Sequence, residues 1–293
     1  YILTLAWGFR RCSFRLTGQC ESLRIVERVT EQAPRFFVCI SEWISSTRES
    51  VGFIVYGIRM NILQNNPYRL LGVYSNSPTK ERLANHNRMK AFLKVGKSVS
   101  FPLDVPQYLS SINRTEASAA DAEAKLTLPK DQILHAQFWF IKTTPLDEVA
   151  FNHLFAGEID KAEEIWQKRE CLSALQNRIV CALIRNRYDS AIKCAEVLYG
   201  NTQYLNQFVS TIIGTGGNFD VSNLAFSFLD ILCDEIGASK LLPFIANSSW
   251  KEHIGEKAVK PLIDSIQKAI NIAQKTKGKG SNARLKAGEA LRE

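Results

Sequence analysis

The chain has 293 residues, 45% of them apolar and 23% charged, with a net charge of +8. That length can bury a sizeable core and hold two domains, and the composition is that of a globular chain. The longest apolar run, VGFIVYGI at residues 51–58, is far shorter than the roughly 18 residues a membrane-spanning helix needs, so no membrane partner is expected.

The positive charge is unevenly placed. Residues 1–59 hold eight Arg and five Glu, and residues 275–293 hold six Lys or Arg and two Glu, so the two ends supply most of it. A nucleic-acid footprint would instead be a basic stripe on the folded body, which makes nucleic acid an unfavoured partner. The seven cysteines, Cys12, Cys20, Cys39, Cys171, Cys181, Cys194 and Cys233, are odd in number and form no C-x-x-C pair. They read as reduced, mostly buried thiols of a cytoplasmic protein. The apolar opening YILTLAW has no basic segment before it, so no leader is expected.

Residues 1–59 contain no Lys, Asp or Asn, whereas residues 60–293 contain 19 Lys and 17 Asn. The first methionine is Met60. The expectation is that translation starts at Met60 and that 1–59 is upstream sequence read in frame. Short helices are expected at residues 23–31 and 36–43, and no function is assigned to Arg10, Arg11 or Arg15.

Residues 66–142 organise the rest. Pro67 suits the first position of a short helix carrying Tyr68, Leu70 and Leu71, which Gly72 can end. Ser77 reads as the cap, and Pro78 as the first residue, of a second helix over residues 78–95. Its apolar stripe is Leu83, Met89, Phe92 and Leu93, and Lys80, Arg82, Arg88, Lys90 and Lys94 occupy its exposed face. A loop over 96–112 comes next, with Pro102 and Pro106. Asn113 and Glu116 have capping-box spacing for an alanine-rich third helix over 114–126. Pro129 starts a fourth, expected to carry Ile133, Leu134, Phe138, Trp139 and Phe140. That aromatic run reads as core, gluing this region to the helices beyond residue 145.

A short helix closed by L-G-V, a basic second helix, a loop, and a third helix followed by L-x-L-P resemble a J domain (DnaJ-like). The opening NPYRLLGV and the closing FWF resemble, more narrowly, bacterial J-like modules fused to helical repeats. The resemblance covers residues 66–141. It implies docking to a DnaK-type chaperone, whose ATP hydrolysis a His-Pro-Asp tripeptide after the second helix stimulates. Here that loop reads Phe101-Pro102-Leu103-Asp104, without the histidine and with the aspartate displaced by one. The fold is therefore expected to be kept and the stimulation lost. The expected partner-binding residues are Lys80, Arg82, Arg88, Lys90, Lys94, Phe101, Pro102 and Asp104.

From Pro145 the periodicity is helical. LFAGEIDKA at 154–162 aligns with LIRNRYDSA at 183–191, an offset of 29, with turns at 156–158 and 185–187. Asp160 and Asp189 suit the first turn of a helix, and Ala162 and Ala191 permit close packing. The units resemble tetratricopeptide-type hairpins, although the period is shorter. Further helices are expected at 202–213, 221–236, 239–246 and 250–275, the last kinked or split at Pro261. Residues 276–293 read as a basic tail.

No residue set points to catalysis. Gly214-Thr215-Gly216-Gly217 follows a helix and lacks a Lys-Ser/Thr, so it reads as a turn. His86, His135, His153 and His253 lack metal-ligand spacing. Asp147-Glu148 and Glu163-Glu164 read as solvated surface acids. The fold class is therefore all-α: a J-like module over 60–144, an α-hairpin repeat region over 145–275 and a tail. The expected function is a non-enzymatic protein–protein interaction adaptor or chaperone-like scaffold without cofactor. A divergent DnaK co-chaperone and a nucleic-acid-associated protein are the alternatives.

Overall fold

The structure, a computed structural model, describes residues 2–4, 13–15, 60–214, 219–245 and 250–275. The chain forms two compact units, Tyr1–Phe53 and Ile54–Glu293. In the first, β1 (Ile2–Thr4) pairs antiparallel with β2 (Ser13–Arg15), Leu3 opposite Phe14. The helices expected at 23–31 and 36–43, the thiols of Cys12, Cys20 and Cys39, residues 215–217 and the 276–293 tail lie outside the described residues.

Every element described in the second unit is helical. It opens with α1 (Asn61–Gln64), preceded by a buried Met60, and α2 (Pro67–Leu71). Asn66 caps α2 by accepting from Tyr68 N, with Pro67 behind it at the first position. Gly72 ends it at φ +67°. A Cβ there would lie 2.1 Å from the Phe101 ring, so the close approach as well as the left-handed backbone requires glycine.

Helix α3 (Thr79–Lys94) starts one residue later than expected. Pro78 occupies the cap position and Ser77 forms no cap hydrogen bond. The expected stripe is also corrected. Met89 is fully buried and Leu93 half-buried, but Leu83 and Phe92 are 44% and 38% exposed, and Arg82 is buried. The helix packs on α2 and α4 through a narrow seam, in which Met89 is its one fully buried apolar side chain and the small Ala119 and Ala122 of α4 are buried too.

Helix α4 (Glu116–Lys125) is capped by a reciprocal Thr115–Ser118 box, not by Asn113 and Glu116. Helix α5 (Pro129–Ala136) stops before the aromatic run. Phe138, Trp139 and Phe140 lie in a turn and the irregular segment after it rather than on a helix, and all three are fully buried.

Two hairpins come next: α6 (Pro145–Phe155) with α7 (Ile159–Gln167), and α8 (Leu172–Ile184) with α9 (Tyr188–Gly200). Their turns keep the offset of 29 at the backbone. Gly157 at φ +83° and Asn186 at φ +56° occupy the same left-handed position, and Ala162 and Ala191 are both fully buried. Then come α10 (Thr202–Ile213), α11 (Leu224–Ile236), the short α12 (Ala238–Leu241) and α13 (Lys251–Lys275). Helix α13 is not split at Pro261. That proline is exposed, and the helix runs on through it at the cost of one internal hydrogen bond.

The expected 144/145 boundary falls inside the second unit. Phe138 stacks on Phe228 of α11, and Phe140 meets the ring of Phe151 on α6 edge-on. The backbone from Ala136 to Lys142 finds its partners in side chains from both directions. Asn66 Nδ2 donates to His135 O and Phe138 O. Ser75 donates to Phe140 O, and Asn76 exchanges two bonds with Lys142. From α8, Gln176 donates to the carbonyls of Ala136, Gln137 and Trp139, and Asn177 exchanges two bonds with Ile141. Buried peptide groups outside regular structure need such partners, and here carboxamides supply them.

Candidate functional site

The loop after α3 is drawn into the core. Residues Pro102–Asp104 make one tight 3-10 turn, in which Phe101, Leu103 and Asp104 are buried and Pro102 is exposed. The Asp104 carboxylate accepts from Phe101 N at 3.0 Å, from Arg114 Nη1 at 2.9 Å and from Arg114 Nη2 at 2.5 Å. Arg114 also donates to the carbonyls of Arg69 and Leu70 at the end of α2, and to Val99 O. A cation at a helix C-terminus is well placed by the helix dipole. The Arg114 guanidinium further lies 5.0 Å over the Phe101 ring.

Arg69 holds the same loop from behind. It donates to Asp104 O, Ser110 O and Gln64 O. Burial pulls its pKa down to about 10, an effect that Asp104 opposes and Arg114 adds to. Phe101 and Asp104, expected as partner-binding groups, are thus turned inward and occupied. The reason is the charge balance: a buried carboxylate between two arginines is stable only when its oxygens are bonded. A groove of about 590 Å³ opens beside Arg69, lined by Asn61, Gln64, Ser110, Ser111, Asn113 and Lys125 among others. The arginine at its floor spends its donors on protein carbonyls.

Helix α3 is the surface part of the site. Lys80, Arg88, Lys90 and Lys94 are exposed, joined by Lys97 just beyond the helix. Exposed among them are Leu83, Phe92 and Val95, the last 67% exposed. Arg88 lies 5.8 Å over the Phe92 ring. Arg82 does not belong to this face: it is 6% exposed, on the seam with Met89. Of the eight expected residues, the structure gathers Lys80, Arg88, Lys90 and Lys94 on one exposed helix. It places Phe101 and Asp104 in the interior.

Two acids read as surface groups are interior. Asp147 is 0% exposed and makes no ion pair among the described residues. Neutral donors satisfy it: Thr143 N, Thr144 N and Thr144 Oγ1 on one oxygen, Trp166 Nε1 and Asn177 Nδ2 on the other. Glu163 is buried between Arg185 and Arg187, tying α7 to the second hairpin turn. Their neighbours Glu148 and Glu164 are exposed as expected. Cys171, Cys181, Cys194 and Cys233 are unpaired thiols. Burial pushes those of Cys181, Cys194 and Cys233 upward, the last to about 11, which keeps them protonated and unreactive.

His153 pairs with Glu158, and His253 with Asp230. Among the described residues no group of three His, Cys, Asp or Glu side chains could hold a metal, and no helix is long and apolar enough to cross a membrane. Comparison of the chain with protein-family models, with characterised proteins and with solved structures returns no match.

Proposed function

We propose that this chain is a non-enzymatic protein–protein interaction adaptor, built on a J-like helical module whose tripeptide loop has become a structural latch. The observation that supports this reading is the surface of α3. Sixteen residues bury only Arg82 and Met89, and present four basic side chains beside Leu83 and Phe92. A helix that exposes charge and apolar area together suits docking against an acidic partner surface. The Asp104 carboxylate is buried with both oxygens bonded to Arg114, so it is turned away from a chaperone ATPase.

The test combines an activity with a binding measurement. Added to a DnaK-type chaperone, the chain is expected to leave its ATPase rate unchanged; a many-fold acceleration overturns the latch reading in favour of a co-chaperone. Partners captured by the chain are expected to be lost from an R88E/K90E/K94E variant of unchanged melting temperature. Equal capture by that variant removes α3 as the docking face.

A further inference from the structure

The first turn of α3 holds an arrangement that the docking face does not explain. Pro78 stands at the cap position and offers no side-chain acceptor, and Ser77 does not replace it. The amide groups of Thr79 and Lys80, which a helix leaves without internal partners, therefore have no cap. Arg82 reaches back along the helix into the same turn, where its Nη2 donates to Thr79 Oγ1 at 3.2 Å. The residue is 6% exposed, yet it makes no ion pair with any described carboxylate, and its buried Nε has no acceptor. Glu123 on the adjoining α4 carries a buried oxygen that likewise has no hydrogen-bond partner, and the two side chains make no ion pair.

A guanidinium removed from water without a counter-charge is costly, and a negative ligand relieves that cost. Uncapped N–H groups at a helix start favour an anion through the dipole, and a guanidinium matches two oxygens of a tetrahedral oxyanion. We propose that the first turn of α3 binds a phosphoryl group, held by the amides of Thr79 and Lys80, the Thr79 hydroxyl and the Arg82 guanidinium, with the exposed Lys80 ammonium adding charge. Glu81, exposed in the same turn, opposes the ligand and keeps the site weak. The site needs no protein partner, so it stands or falls independently of the adaptor reading.

The experiment titrates inorganic phosphate into the full ¹⁵N-labelled chain at constant ionic strength, with sodium chloride as the control. The amides of Thr79 and Lys80 are expected to shift in a saturable way that chloride does not reproduce. R82Q is expected to weaken the response at least ten-fold, with R82K recovering part of it. K80Q, an exposed change that leaves the fold intact, is expected to weaken it several-fold. A phosphoserine peptide run in parallel separates two sources of the same group: tighter binding than inorganic phosphate marks a modified protein, and equal binding marks the free ion. Shifts that chloride reproduces, or that persist undiminished in both R82Q and K80Q, overturn the proposal.

Discussion

Asp147 is held in the interior by hydrogen bonds from neutral donors alone, so each donor depends on the carboxyl group as much as it depends on them. Removing it in D147A strands Trp166 Nε1 and the amides of Thr143 and Thr144. The expected cost is about 3 kcal/mol by denaturant unfolding, the range for losing a buried, multiply bonded polar group. His135 gives a pH signature. Burial lowers its pKa below the ordinary 6.5, Lys125 adds to the effect, and Asp131 partly opposes it. The unfolded chain then binds the proton that the folded one refuses, so stability rises with pH in this window. It is complete above the unfolded value and declines as pH falls through 6.5 toward the lower folded value. H135N is expected to flatten that slope below about pH 7. An unchanged slope in H135N assigns it to another group. Neither residue was legible in the sequence as what it is. The partners of Asp147 on other helices lie 19 and 30 residues away, and no local spacing reports such contacts.

Helix boundaries were legible where the chain punctuates itself. Pro67, Gly72, Pro129 and the 29-residue offset all fell where their backbone preferences place them. Where two neighbouring residues could each take a position, packing chooses between them, and a local pattern does not report the choice. Ser77 and Asn113 looked like caps, but Pro78 and Thr115 took the positions. On α3 periodicity puts Leu83, Met89, Phe92 and Leu93 on one stripe, but the seam buries Met89 and leaves Leu83 and Phe92 exposed. The left-handed turns allow a graded test. Gly157 has only Gln107 Cγ near, at 3.6 Å from an added Cβ, so G157A meets backbone strain and costs about 1 kcal/mol. Gly72 adds a collision with Phe101, so G72A is expected to cost about 3 kcal/mol or more. Equal melting-temperature losses for the two would show that Phe101 moves aside without cost, and would loosen the latch argument.

In the second unit, residues 136–142 join the first helices to the hairpins, and neither side holds them alone. The burial of Phe138, Trp139 and Phe140 was legible from composition and position, but the grip was not. It depends on Asn66, Ser75 and Asn76 meeting Gln176 and Asn177 about 100 residues later, polar residues that look ordinary in any window. That grip has a consequence for the failure mode of the protein. QFWFI is uncharged, free of proline and rich in strand-forming residues, the composition that seeds intermolecular β-assembly when uncovered. The carboxamides of Gln176 and Asn177 occupy the backbone groups along which another copy would add. The two residues serve as a guard in place of a neighbouring strand. A Q176A/N177A variant is accordingly expected to form thioflavin-positive aggregates at temperatures where its helical circular dichroism is still intact, whereas D147A, which keeps both carboxamides and removes only one bond of Asn177, is expected to lose its helices first.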